Sequence, residues 1–194
     1  MGKIGKDSPE AISALVDLIG NSQDFRKQSR AADSLREISN NQPTAIFGLV
    51  DLIRNSGDEH TPWEAAYSLG TIGKDSPDAI AALVELISNS RDAGTRCVAA
   101  YSLGKLDKHN SVPIAALVEL IRKSRHEDTV YDPADCLGEI MTGKHFATAV
   151  SGLKKCLTSE IYKNNFGRNE KCYGVIWNCA ENMTYPDFYR AWHA

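Results

Sequence analysis

Ile80, Leu83, Val84 and Ile87 recur at i, i+3, i+4 and i+7, which places them on one face of a helix with 3.6 residues per turn. The stripe repeats along the chain. Leu15, Leu49, Leu83 and Leu117 are each 34 residues apart, as are Ile12, Ile46, Ile80 and Ile114. A further ladder with the same step, Leu35, Leu69, Leu103 and Leu137, runs inside "AADSL", "AAYSL", "AAYSL" and "PADCL". Ladders of two kinds with one period predict two helices per 34-residue unit, neither of which can bury its stripe alone.

The helix ends are also written in the chain. "LGTIGKDSPDAIAALVELI" at residues 69–87 repeats much of "KIGKDSPEAISALVDLI" at residues 3–19. Ser76 is the predicted N-cap of the second helix of its unit, Pro77 suits the first helical position, and Asp78 complements the macrodipole. Gly73 is then expected to be the left-handed residue that ends the preceding helix. The first helix of each unit is rich in small residues, Ala65, Ala66, Ala99 and Ala100, and has glycine at one aligned position, Gly70, Gly104 and Gly138. Glycine inside a helix costs about 1 kcal/mol relative to alanine. A neighbouring helix is therefore expected to approach closely at all three.

A 34-residue helical pair has three candidate families. The W-x-x-L-G-x-x-Y pattern of tetratricopeptide repeats is missing, and the ankyrin hint "TPWEAA" at residues 61–66 is one unit deep. Residues 1–142 instead resemble the short HEAT-type repeat of long bacterial arrays. "LGTIGKDSPDAIAALVELISNS" is similar to the arrays that follow the NTPase module of bacterial NACHT proteins and, more loosely, to the HEAT-like repeats of phycobilin lyases. The resemblance implies an all-α, right-handed α-solenoid of about four and a half helical pairs, with the second helices lining its concave face. Lys3 and Ile4 correspond to Thr71 and Ile72, so the chain starts partway through a unit. That start suggests a fragment, a truncated gene or the tail half of a larger array.

After Gly143 the ladder slips, so that Val150, Leu153 and Leu157 answer Ile114, Leu117 and Ile121 at a spacing of 36. Composition changes as well. The last 33 residues hold eight of fifteen aromatics: Tyr162, Phe166, Tyr173, Trp177, Tyr185, Phe188, Tyr189 and Trp192. "KCYGVIWNCAENMTYPDFYRAWH", residues 171–193, resembles the cysteine- and histidine-containing helical segment at the C-terminal end of some bacterial NACHT proteins. The division is thus 1–142 for the repeats and 143–194 for final helices and cap. Thr184 is expected to cap a last helix starting at Pro186, with Phe188, Tyr189 and Trp192 folding back as an aromatic lid. The alternative role for this tail is docking.

Charge and composition narrow the function. With 42% hydrophobic and 24% charged residues and a net charge of -3, there is no global pull toward nucleic acid or an anionic membrane. No window approaches eighteen consecutive apolar residues, and the N-terminus lacks a signal-peptide core, so a cytoplasmic location is expected. Cys97, Cys136, Cys156, Cys172 and Cys179 are odd in number and lack secreted-domain spacing, which predicts reduced thiols. Cys97 and Cys136 fall on first helices at or near core positions.

No reaction can be read, and no cofactor is expected. "GEIMTGK", Gly138 to Lys144, is followed by His145 where a phosphate loop needs Ser or Thr, and Gly138 is a repeat glycine in a helix. Cys172, Cys179 and His193, with Cys156 or His145 as a fourth ligand, invite a zinc reading. Seven helical residues separate two side chains by about 10 Å along the axis, too far for one tetrahedral ion unless the helix bends. Lys154, Lys155, Lys163, Arg168, Lys171 and Arg190 lie among the tail aromatics and would serve nucleic-acid binding, offset by Glu160, Glu170, Glu181 and Asp187. A lyase-like helper would instead carry pigment.

One polar feature repeats. Asp17, Asp51, Glu85 and Glu119 lie two residues past the ladder leucines of the second helices, off the apolar stripe. Arg54 and Arg122 follow Asp51 and Glu119 by three residues and would neutralise part of the row. The row is either a solvated face or a strip that binds a basic protein partner on the concave face.

Overall fold

The computed structural model describes residues 8–39, 42–57, 60–123 and 132–194. Lys3 and Ile4, on which the reading of an incomplete first unit rests, lie outside them. The fold is an all-α solenoid of consecutively packed helical pairs, and among the described residues no strand occurs. The chain divides after Asp107 into two compact units.

In the first unit, α1 (Pro9–Asn21), α3 (Pro43–Asn55) and α5 (Pro77–Asn89) are the second helices, and α2 (Phe25–Ile38), α4 (His60–Ile72) and α6 (Ala93–Leu106) the first helices. α3 packs between α1 and α5, and α4 between α2 and α6, so the two helix types form two layers. Leu35, Leu49, Leu69, Leu83 and Leu103 are fully buried between the layers, as their 34-residue step requires. Leu15 is only half-buried. The apolar stripe of α5 is also wider than the sequence pattern suggests: Ala79, Ala82, Leu83, Leu86 and Ile87 are buried, whereas Ile80 and Val84 are half-buried at its margin.

The caps follow the predicted chemistry, with one exchange of roles. The Ala79 amide donates to Ser76 Oγ at 3.3 Å with Pro77 in the first turn, and Ser8 does the same for Ala11 in α1. Gly73, however, does not adopt a left-handed backbone; Asp75 does, at φ 60°. A Cβ on Gly73 would stand 2.7 Å from the Leu69 carbonyl oxygen and 2.8 Å from the Ala79 Cβ, so Gly73 is there for close approach. Gly70 fits its prediction, since an added Cβ would meet the Ser102 Cβ at 2.6 Å and its Cα at 2.9 Å. Gly138 does not: no described atom lies within 4 Å of an added Cβ there.

The layer of first helices carries buried polar groups. Gln28 Nε2 donates to the Ile19 carbonyl at 3.0 Å, the Ser22 carbonyl at 2.9 Å and Thr61 Oγ1 at 3.3 Å. Arg36 donates to Ser68 Oγ at 3.0 Å and lies 4.8 Å above the Tyr67 ring centroid. Glu64 is buried in the same layer, and burial pushes its carboxyl above the usual range, opposed in part by a hydrogen bond to Ser29 and by the Arg36 charge. A folded-state pKa raised above the unfolded value stabilises the fold at low pH, and that stabilisation is lost as pH rises through the folded value. Glu64→Gln is therefore expected to raise the melting temperature at pH 7. The gain should vanish near pH 4, where wild-type Glu64 is protonated in the folded and largely in the unfolded chain. A gain that persists unchanged at pH 4 would place its cause outside this ionisation.

In the second unit, α7 (Val112–Lys123) pairs with α8 (Pro133–Ile140), and α9 (Gly143–Leu153) lies beside α7. A 3₁₀ turn (Lys154–Cys156) and α10 (Ser159–Asn164) lead to α11 (Phe166–Asn182), which packs on α8 and α9. α12 (Tyr185–His193) then lies against α9. Leu117, Leu137, Val150 and Leu153 are buried. Leu157, the last rung predicted at the 36-residue spacing, lies beyond the end of α9 and is half-buried after the 3₁₀ turn.

Candidate interaction site

Asp17, Asp51 and Glu85 occupy one exposed position on α1, α3 and α5 of the first unit. Arg54 does not serve Asp51, as the three-residue spacing suggested. Its Nε reaches Glu85 Oε2 in the next second helix at 3.3 Å, both side chains being half exposed, while Asp51 accepts from Asn55 Nδ2 at 2.6 Å. In the second unit Glu119 is exposed on α7 and pairs with Lys123 Nζ at 2.6 Å. The Arg122 carbonyl accepts from Arg168 Nη1 at 3.0 Å.

Between α1 and α3 the surface forms a groove lined by Val16, Gly20, Phe47, Gly48 and Leu52, with Asp17 and Asp51 also in its lining. Two glycines bring the helices together. A Cβ on Gly48 would stand 2.7 Å from Val16 Cγ1, and one on Gly20 2.5 Å from Leu52 Cδ2. Phe47 is 75% exposed, a side chain that the sequence reading passed over. Its counterparts at the 34-residue step are Ser13, Ala81 and Ala115, all exposed and small. The irregularity against its own repeat was the available signal.

The tail thiols are buried. Cys172 and Cys179 are buried on one face of α11. Cys172 lies beside Cys156 and hydrogen-bonds with it, and burial drives its thiol far upward. Cys179 contacts Met141 Sδ at 3.9 Å and is pushed up to about 11 by burial. Thiols held this far from ionisation are poor nucleophiles at neutral pH. His193 is exposed, and its ring lies 4.3 Å from that of Tyr189, tilted by 44°. His145 is buried at the start of α9, where its Nδ1 accepts from the Thr142 amide at 3.2 Å. Burial, Lys144 and His109 lower its pKa. Among the described residues no three His, Cys, Asp or Glu side chains converge on a metal position, so Cys172, Cys179 and His193 are not brought together. The purified protein is expected to hold less than one zinc per chain and to melt at the same temperature with and without a chelator. Stoichiometric zinc by elemental analysis would contradict this geometry.

The other candidates resolve in the same unit. Gly138 lies within α8, a two-residue break separates α8 from α9, and Lys144 Nζ contacts the His109 carbonyl at 3.1 Å, an arrangement unlike a phosphate loop. Of the six tail cations, four are engaged by the protein itself. Lys154 donates to the Trp192 carbonyl at 2.6 Å, Arg168 to the Arg122 carbonyl, Lys171 pairs with Asp132 at 2.8 Å, and Arg190 pairs with Asp187. Thr184 caps α12 as predicted, accepting from the Asp187 amide at 3.3 Å, although the helix starts at Tyr185, one residue earlier. The lid is narrower than expected. Phe188 and Trp192 are half-buried and stacked at 5.9 Å, and Ala191 is buried, but Tyr189 points to solvent with Tyr185.

The fold is that of a helical-repeat protein, and residues 46–137 match the family model for HEAT repeats. Residues 165–193 match the domain described as NACHT C-terminal Cysteine and Histidine-containing, so the chain carries HEAT repeats followed by that domain. Among curated proteins and among solved structures, none matches it significantly. Among the described residues no helix is long and apolar enough to cross a membrane.

Proposed function

We propose that the chain is a non-enzymatic protein-interaction scaffold that binds a basic protein segment along its second helices, as the sensor or regulatory part of a cytoplasmic NACHT-type NTPase system. The single observation that carries the binding surface is Phe47, 75% exposed at a groove lined also by Asp17 and Asp51. An aromatic anchor beside carboxylates suits a Lys- or Arg-bearing segment, because cations are attracted both to the ring face and to the acids. The order of HEAT repeats and NACHT C-terminal domain supports the cellular setting.

A photo-crosslinking phenylalanine at position 47 tests this in cells, with Lys105 on the exposed surface of α6 as the control position. A discrete adduct is expected at 47 and not at 105, and Asp17→Lys with Asp51→Lys should abolish it. Equal adducts at both positions, or an adduct indifferent to the charge reversal, would overturn the reading.

A further inference from the structure

Tyr185 and Tyr189 of α12 are exposed, but the larger set of exposed aromatics described in the second unit lies on α10 and α11. Phe166, Tyr173 and Trp177 lie along the solvent side of α11, each 54% exposed, and Tyr162 from α10 meets Phe166 edge to face at 5.3 Å. Tyr173 and Trp177 stack with centroids 5.9 Å apart and planes 24° apart, so that together they make a platform. Half-exposed aromatics leave roughly 75–125 Å² each, so four leave about 300–500 Å² open. That is the size of the largest patch on a typical monomer, and such patches are often functional. The fold of α11 does not need them, since its packed side is Cys172, Val175, Ile176 and Cys179.

The surroundings of the platform are acidic. Glu170 and Glu181 are exposed on the same half of α11. Gly174 and Asn178 follow Tyr173 and Trp177 in sequence, a step of about 100° around the helix, and line a groove against α8 that also contains Asp135 and Gly138. At Gly138 and Gly174 no described atom lies within 4 Å of an added Cβ, so the groove is open where the two glycines line it. Lys171 does not offset the carboxylates, being tied to Asp132 at 2.8 Å.

We infer that this face is a second docking surface, for a cationic amphipathic helix of a partner protein. Its Lys or Arg heads lie over the Tyr173 and Trp177 rings in the field of Asp135, Glu170 and Glu181, and its apolar side covers Phe166 and Tyr162. A second copy of the chain would bring like carboxylates together, and nucleic acid would bring its phosphates against them.

The test uses the full chain and a fluorescent amphipathic helix of Leu and Lys, about eighteen residues long, against its Leu and Glu counterpart. The Lys peptide is expected to bind at least about tenfold tighter. Tyr173→Ala with Trp177→Ala should weaken it by about the same factor. Asp135→Asn, Glu170→Gln and Glu181→Gln together keep the rings, and should weaken binding and flatten its salt dependence. Glu37→Gln with Asp78→Asn, exposed carboxylates outside both surfaces, should leave it unchanged. Equal binding of the two peptides, or loss on Asp17→Asn with Asp51→Asn and none on the changes at Tyr173 and Trp177, would overturn the proposal, the second outcome assigning the peptide to the Phe47 groove. So would a dimer in solution that Trp177→Ala dissolves, or oligonucleotide binding that Trp177→Ala abolishes, each naming a different occupant.

Discussion

Leu83→Ala lowers the stability of the chain by about 2–5 kcal/mol, the range for deleting a buried leucine side chain whose surroundings collapse only partly. Leu83 is 0% exposed, and α5 packs against both α3 and α6, so the space left has walls on two sides. The neighbouring ladder residues, Leu49 and Leu69, are equally buried and cannot move into it without opening contacts of their own. Chemical denaturation with the transition followed by circular dichroism measures the change. A loss below about 1 kcal/mol would mean that the site relaxes freely, which would contradict a continuous core between the two layers. Val84, one residue on, is half-buried, and its truncation should cost clearly less.

Leu83 was legible in the sequence because burial in a repeat protein is set by local period. Each repeat presents the same stripe to its neighbours, so apolar residues that recur every 34 positions are those that meet the adjoining copies. Caps were legible for a similar reason: the hydroxyl of Ser76 and the ring of Pro77 act on amides within three residues. What depends on the distance between helices was not. Arg54 stands three residues from Asp51, yet its guanidinium reaches Glu85 because the next helix is nearer than the sequence spacing discloses. Gly73 and Asp75 exchanged roles for the same reason. The missing Cβ of Gly73 is consumed by the Ala79 side chain of the following helix, and the left-handed turn falls to Asp75. Phe47 escaped because a ladder weights what repeats, and its aromatic ring occurs once where the other units have Ser13, Ala81 and Ala115. The tail offers no period at all. Which of its aromatics cover the fold and which face solvent follows from the rotation of α11 and α12, and the composition of that segment carries no such information.

Deleting residues 184–194 removes α12 and is expected to lower the melting temperature and to expose apolar surface that binds a hydrophobic dye. α12 lies against α9, in the way that α9 lies beside α7, so it covers a flank of α9 that would otherwise face water. Phe188 and Trp192 are half-buried, Ala191 is buried, and Lys154 Nζ holds the Trp192 carbonyl at 2.6 Å. Half of an aromatic surface of about 150–250 Å² for each of two rings, at about 25 cal/mol per Å², amounts to about 4–6 kcal/mol as an upper bound. Ordering the helix offsets part of it. Tyr189, 51% exposed, adds little, so Tyr189→Ala should leave melting nearly unchanged whereas Phe188→Ala and Trp192→Ala should each lower it. That contrast separates a covering helix from a tail that merely adheres. If truncation leaves the melting temperature and dye binding as they were, α12 does not close the stack, and its half-buried face joins Tyr173 and Trp177 as surface available to a partner.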